Sequence, residues 1–138
     1  MQLVVDANVV FSALVNKGKA FTVFASNARR KRFIFIAPEF AFVEIEKKRG
    51  KILSVTVLSS EEQFDIISFI REQTEVIPFD EFSDFIPEAR LINPDDAPYL
   101  ALAIQRDCAI FSGDKGLKKQ QKVDVFSPRE LLDILGDK

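Results

Sequence analysis

Two aspartates stand where short apolar runs stop: Asp6 follows Leu3-Val4-Val5, and Asp114 follows Ala109-Ile110-Phe111-Ser112-Gly113. Ligand chemistry in open α/β sheets gathers outside the carboxyl ends of the strands, so two strands delivering carboxylates there predict an acidic pocket. Acidic pockets hold hard cations. Composition narrows the chemistry further. The chain has no histidine, which excludes Ser-His-Asp triads, imidazole bases and histidine zinc sites. Its single cysteine, Cys108, can form neither an intramolecular disulfide nor a thiolate cluster, and it reads as a small core residue. Oxygen chemistry on carboxylates remains, the ligand set suited to Mg²⁺ or Mn²⁺.

Two further acids qualify. Asp96 opens the run Ala97-Pro98-Tyr99-Leu100-Ala101-Leu102-Ala103-Ile104, apolar nearly all round and so expected to be a buried helix. An anion there is stabilised by the first-turn N–H groups and the helix dipole, and simple capping is the plain alternative. Asp95 is the better candidate for a mere cap, which leaves Asp96 for other work. Glu44 sits among Phe40, Ala41, Phe42, Val43 and Ile45. Helical angles place it between Phe40 and Ala41, partly enclosed, where an unpaired charge is costly.

The elements that must position these acids alternate along the chain. Leu3–Val5 predicts a strand, followed by a helix from about Val9, an interruption at Gly18 and an amphipathic run over Phe21–Arg29. Phe33–Ile36 predicts a second strand, and Pro38 opens a helix from Glu39 to about Arg49, ending near Gly50. Ser59-Ser60-Glu61-Glu62 predicts a helix start that runs through Arg71, and Asn93-Pro94-Asp95-Asp96 another through Arg106. Strands at Ala109–Phe111 and Val123–Phe126 and a helix from Pro128 to Leu135 complete a βα alternation with a parallel sheet. At 138 residues and 47% hydrophobic composition the chain is expected to be one domain, 1–138, with a sizeable core.

Taken together, Asp6-Ala7-Asn8, Val43-Glu44-Ile45, Asp96-Ala97-Pro98-Tyr99-Leu100-Ala101-Leu102-Ala103 and Ser112-Gly113-Asp114-Lys115 resemble the PIN-domain ribonuclease family, which includes the toxins of VapBC-type toxin–antitoxin pairs. The resemblance spans essentially the whole chain. It implies a three-layer α/β/α sandwich around a central, mostly parallel sheet. It also implies a Mg²⁺- or Mn²⁺-dependent endoribonuclease acting on single-stranded RNA. The implied catalytic and metal-binding residues are Asp6, Glu44, Asp96 and Asp114, with Asn8 and Ser112 orienting them. RNA, an antitoxin protein and a second copy in a homodimer are the implied partners. Alanine at position 7 and serine at 112 replace the threonines frequent in the family. Gly116, Leu117 and Lys118 stand where some members carry a further acid.

Three basic groups can meet a phosphate backbone: Arg29–Arg32, Lys47–Arg49 with Lys51, and Lys115, Lys118, Lys119 and Lys122. Cations also decorate helix ends and solvated faces, and the second group reads that way. Lys115 adjoins Asp114 and is the substrate-binding candidate. The segment from Ser59 to Arg90 is strongly acidic and a poor RNA contact; its Phe79, Phe82, Phe85 and Ile86 read as a core-facing helix stripe. A net charge of −2 argues against a general nucleic-acid coat protein. The lone cysteine, the lack of an export signal and the lack of a membrane-length apolar run predict a cytoplasmic protein without membrane contact. Two rival readings remain. One is a PIN fold that binds RNA or a partner without turnover. The other is a haloacid-dehalogenase-like phosphatase, weakened by Asn8 where that family has a second aspartate.

Overall fold

The computed structural model describes residues 1–136, apart from the side chains of Asn16 and Leu53. Five parallel strands, β1 (Gln2–Val5), β2 (Ile34–Pro38), β3 (Thr74–Ile77), β4 (Ala109–Phe111) and β5 (Val125–Phe126), form one sheet in the order β3-β2-β1-β4-β5. The chain winds outward from β1 through β2 to β3, then crosses back to β4 and β5. The direction therefore reverses between β1 and β4, which is where such sheets open a crevice at their carboxyl ends. Asp6 leaves β1 and Ser112 leaves β4 at that crevice.

Helices cover both faces in a three-layer sandwich. The first connections carry α1 (Ala7–Asn16), α2 (Gly18–Arg30), α3 (Glu39–Leu53) and α4 (Ser60–Glu72). The return from β3 to β4 carries α5 (Ile86–Ile92) and α6 (Ala97–Arg106), and α6 packs on β1, β2 and β4. A single turn, α7 (Lys115–Lys118), follows β4, and α8 (Pro128–Leu135) packs back on α2. The near-continuous apolar character of β1 and α6 follows from this double burial: Leu3, Val4, Leu100, Ala101, Leu102 and Ala103 have no exposed surface. Phe24, Phe35 and Phe111 form an aromatic centre, with ring centroids 4.9 and 5.6 Å from Phe24.

Most element boundaries agree with the sequence expectations, and the differences have local causes. α3 runs through Gly50 to Leu53. A glycine costs a helix only about 1 kcal/mol, and here it does not adopt the left-handed conformation of a terminator. The last strand is shorter than expected, Val125–Phe126. β3 is absent from the expectations because its exposed Glu75 and Val76 break the alternation that marks a strand. Phe79–Glu81 and Ser83–Phe85 form short 3₁₀ turns rather than one amphipathic helix; Phe82 and Ile86 are buried, but Phe79 faces outward.

One buried polar group works against this fold. Gln63 on α4 is fully buried, and neither its side-chain oxygen nor its nitrogen has a partner among the described residues. An unsatisfied buried amide costs about 1–3 kcal/mol. Gln63→Met, similar in shape and apolar, is therefore predicted to stabilise the protein by about 1 kcal/mol or more. Urea denaturation measures it; a loss of stability would show that the amide has a partner.

Candidate functional site

The crevice between β1 and β4 is built by backbone register. Val5 pairs with Phe111, and the Asp6 N–H donates to the Phe111 carbonyl at 3.1 Å, so the next residues on each strand face one another. Ser112 Oγ donates to Asp6 Oδ2 at 2.7 Å and accepts from the Asp114 N–H at 3.0 Å. One buried hydroxyl thereby ties the two aspartates to a common frame. Each aspartate also caps a helix. Asp6 Oδ1 accepts from the Asn8 N–H at 3.2 Å, and Asp114 Oδ1 accepts from the Gly116 N–H at 2.8 Å. Gly116 suits this close approach, since a Cβ there would stand 3.2 Å from Asp114 Oδ1.

Asp96 occupies the cap position of α6 yet makes no capping bond with its side chain. Asn93 does the local work instead. Its Oδ1 accepts from the N–H groups of Asp95 and Asp96 at 3.1 and 3.4 Å, and its Nδ2 donates to Asp96 Oδ2 at 3.2 Å. This turn leaves the Asp96 carboxyl within reach of the charges of Asp6 and Asp114. Asp95 stays on the surface. Asn93 was not among the sequence candidates, although Asn-x-Asp-Asp ahead of a helix carries the signature of an Asx turn.

The electrostatics record how closely the acids are gathered. Burial, then the charges of Asp6 and Asp114, push the Asp96 carboxyl up to about 6. Burial also raises Asp6, opposed by its bonds from Ser112 and Asn8 and reinforced by Asp114 and Glu44. Asp6, Asp96 and Asp114 thus lie within reach of one another's charge. Glu44 stands at their edge: it is half-buried, its charge reaches Asp6, and its Oε1 lies 3.0 Å from Lys48 Nζ. Lys48, expected from sequence to be surface decoration, therefore belongs to the rim of this site. Lys115 is exposed at the start of α7, beside Asp114. Asn8 presents its backbone N–H to Asp6, and with Ser12, Gly113, Asp114 and Pro128 it lines an adjoining cleft of about 360 Å³.

Beneath the acids lies Tyr99, unassigned by the sequence reading. Its hydroxyl accepts from the Ala7 N–H at 3.3 Å, and its ring packs on Phe40. Burial, with the charges of Asp6, Glu44 and Asp96, holds its phenol above the ordinary tyrosine range. It is neutral throughout the physiological range and serves as a fixed floor.

Among the described residues no three acids stand close enough to enclose an ion directly. Mg²⁺ in proteins keeps several waters and takes one or two carboxylates, so Asp6, Asp96 and Asp114, each within reach of the others' charge, fit such an ion in donor chemistry and charge. A carboxyl pushed up to about 6 by burial first and by like-charged neighbours second marks a place short of positive charge.

This crowding has a sign in stability. Asp96 binds its proton more tightly folded than unfolded, so its contribution is fully present below about pH 4 and is lost as pH rises through about 6. The lowered carboxyls of Glu62 and Glu130 act oppositely, but only at more acid pH. In EDTA, the melting temperature is predicted to rise from pH 7.5 to pH 5 in the wild type. Asp96→Asn should melt higher than wild type at pH 7.5 and lose most of the pH response. Identical melting profiles for the two proteins would show that Asp96 is only a helix cap.

Comparison with known proteins agrees with this fold. A model of the PIN domain matches residues 4–124. VapBC2 from Rickettsia felis, solved bound to a DNA fragment from its promoter, contains a chain similar to this one at a TM-score of 0.67 and 14% identity, over 92% of this chain and 98% of that one. PAE2754 from Pyrobaculum aerophilum is similar at a TM-score of 0.70 and 14% identity, over 99% of this chain and 90% of that one. At such identity the likeness speaks for the fold. No curated protein matches the sequence. With the family model covering most of its length, the chain belongs to the PIN-domain family.

Proposed function

We propose that this chain is a divalent-metal-dependent endoribonuclease that hydrolyses phosphodiester bonds in single-stranded RNA, using Mg²⁺ or Mn²⁺ at Asp6, Asp96 and Asp114 with Glu44 at their edge. The observation that supports this reading is that Asp6, Asp96 and Asp114, from three separate elements, lie within reach of one another's charge at the carboxyl edge of the sheet. PIN-domain membership supports nuclease chemistry. The structural likeness to VapBC2 favours the toxin of a toxin–antitoxin pair, with an antitoxin protein as partner. A homodimer belongs to the same reading.

When bound, a divalent ion lowers the pKa of water and offsets charge on a phosphodiester. The residues of the chain serve that chemistry by holding geometry. Ser112 Oγ fixes the Asp6 rotamer and the Asp114 backbone together. Asn93 orients Asp96 while relieving it of capping. Below about pH 6 Asp96 carries a proton, which it must release to act as a ligand. Tyr99 secures the start of α1 behind Asp6. Lys115 is proposed to meet the phosphate backbone from the far side. Both oxygens of Asp6 accept hydrogen bonds, which suits a held ligand better than the covalent nucleophile of a phosphatase.

Purified protein should cleave single-stranded RNA with Mg²⁺ or Mn²⁺ and lose cleavage in EDTA. Asp6→Asn should abolish it. Ser112→Ala is predicted to lower metal affinity or activity roughly 10- to 100-fold, as losses of ligand-orienting groups do. Undiminished cleavage in excess EDTA or by Asp6→Asn would overturn the reading. Hydrolysis of a phosphomonoester without RNA cleavage would favour the phosphatase, and ion binding without any turnover would favour a binding module.

A further inference from the structure

Phe40, Glu44 and Lys48 follow one another at four-residue intervals on α3 and so share one face of that helix. Phe40 is 39% exposed, although its ring packs against Tyr99 at 5.4 Å and 51°. Tyr99 in turn lies among the charges of Asp6, Glu44 and Asp96, so the Phe40 ring sits at the lip of the acidic site. At the other end of the stripe, Lys48 Nζ lies 3.0 Å from Glu44 and 5.2 Å from the ring centroid of Phe11 on α1. An aromatic ring, a carboxylate and a cation therefore run in line away from the site. A cover for Tyr99 needs only bulk, which a buried aliphatic chain supplies; this ring instead leaves part of its surface to solvent.

We propose that this stripe of α3 is a track for single-stranded RNA, in which an unpaired base stacks on the outward face of Phe40 and the next phosphate meets Lys48. The proposal rests on the nuclease reading above and adds the residues that would select unpaired substrate. Base–aromatic stacking is tolerant of sequence because every base has a π-face. It discriminates against duplex, whose bases already stack on both sides. The half-exposed Lys48–Glu44 pair is cheap to exchange for a phosphate, and such a contact scales with salt.

The chain contains no tryptophan, so Phe40→Trp installs a single indole reporter at the proposed platform. In an Asp6→Asn background, single-stranded RNA should quench Trp emission, whereas the matching duplex and an abasic strand should leave it largely unchanged. With the native aspartate, Phe40→Leu should raise KM roughly tenfold, the size of one lost stack, at unchanged kcat and unchanged Mn²⁺ affinity. Lys48→Ala should flatten the salt dependence of RNA binding by about 0.7 in slope. An unquenched reporter, equal quenching by duplex, or an unchanged KM in a protein that cleaves RNA would overturn the stacking platform alone. A wild-type protein that cleaves no RNA would overturn the nuclease reading and the track with it.

Discussion

Like-charged carboxylates crowded at the switch point of a parallel sheet are the constraint to which the rest of this molecule answers. Asp6 and Asp114 are brought there by adjacent strands, and Asp96 by the helix that crosses behind them. Burial first, and then their mutual repulsion, raise the proton affinity of Asp96 and oppose the ionised folded state. The chain tolerates this because each acid is anchored by donors that fix its position without neutralising its charge: a hydroxyl and one backbone N–H for Asp6, backbone N–H groups for Asp114, and an amide for Asp96. Among the described residues no ion pair joins a cation to the three aspartates. The lysine that does reach the site pairs with Glu44, at its edge.

That division of labour depends on features far from any chemistry. α6 is apolar nearly all round because it packs against three strands, and this packing sets the depth of Asp96. Asn93 frees Asp96 from capping only because α5 ends where it does, with Asn93 in an extended conformation. On the other side, Asn27 holds the turn into β2 by donating to the Phe33 carbonyl at 3.0 Å and accepting from the Phe33 N–H at 2.8 Å. That turn sets where β2 begins, and α3 follows directly from the end of β2.

The sequence reveals these parts unevenly, for physical reasons. Asp6 and Asp114 stand out because a carboxylate at the end of an apolar strand is a local signal, and strand pairing then does the rest. The framing strands and helices are legible where burial leaves a continuous apolar run, as in β1 and α6, or writes a clear period, as in α8. β3 is an edge strand with two adjacent outward residues, so its period is lost. The aromatic residues between 79 and 85 mimic a helical stripe but fold as tight turns. Asn93 leaves a trace in its Asx-turn pattern. Tyr99 resembles any core aromatic, and the closeness of Lys48 to Phe11 exists only once α1 and α3 have packed. Contacts between elements are the layer that periodicity does not carry.

The central claim is that Asp96, beside Asp6 and Asp114, holds a proton below about pH 6 in the ion-free protein and gives it up to a divalent cation. Calorimetric titration with Mn²⁺ in buffers of different ionisation enthalpy tests this directly, because it counts protons released per ion bound. The account predicts proton release at pH 5.5 that fades by pH 7.5 and disappears in Asp96→Asn. Mn²⁺ binding without proton release at pH 5.5, or release unaffected by Asp96→Asn, would contradict it.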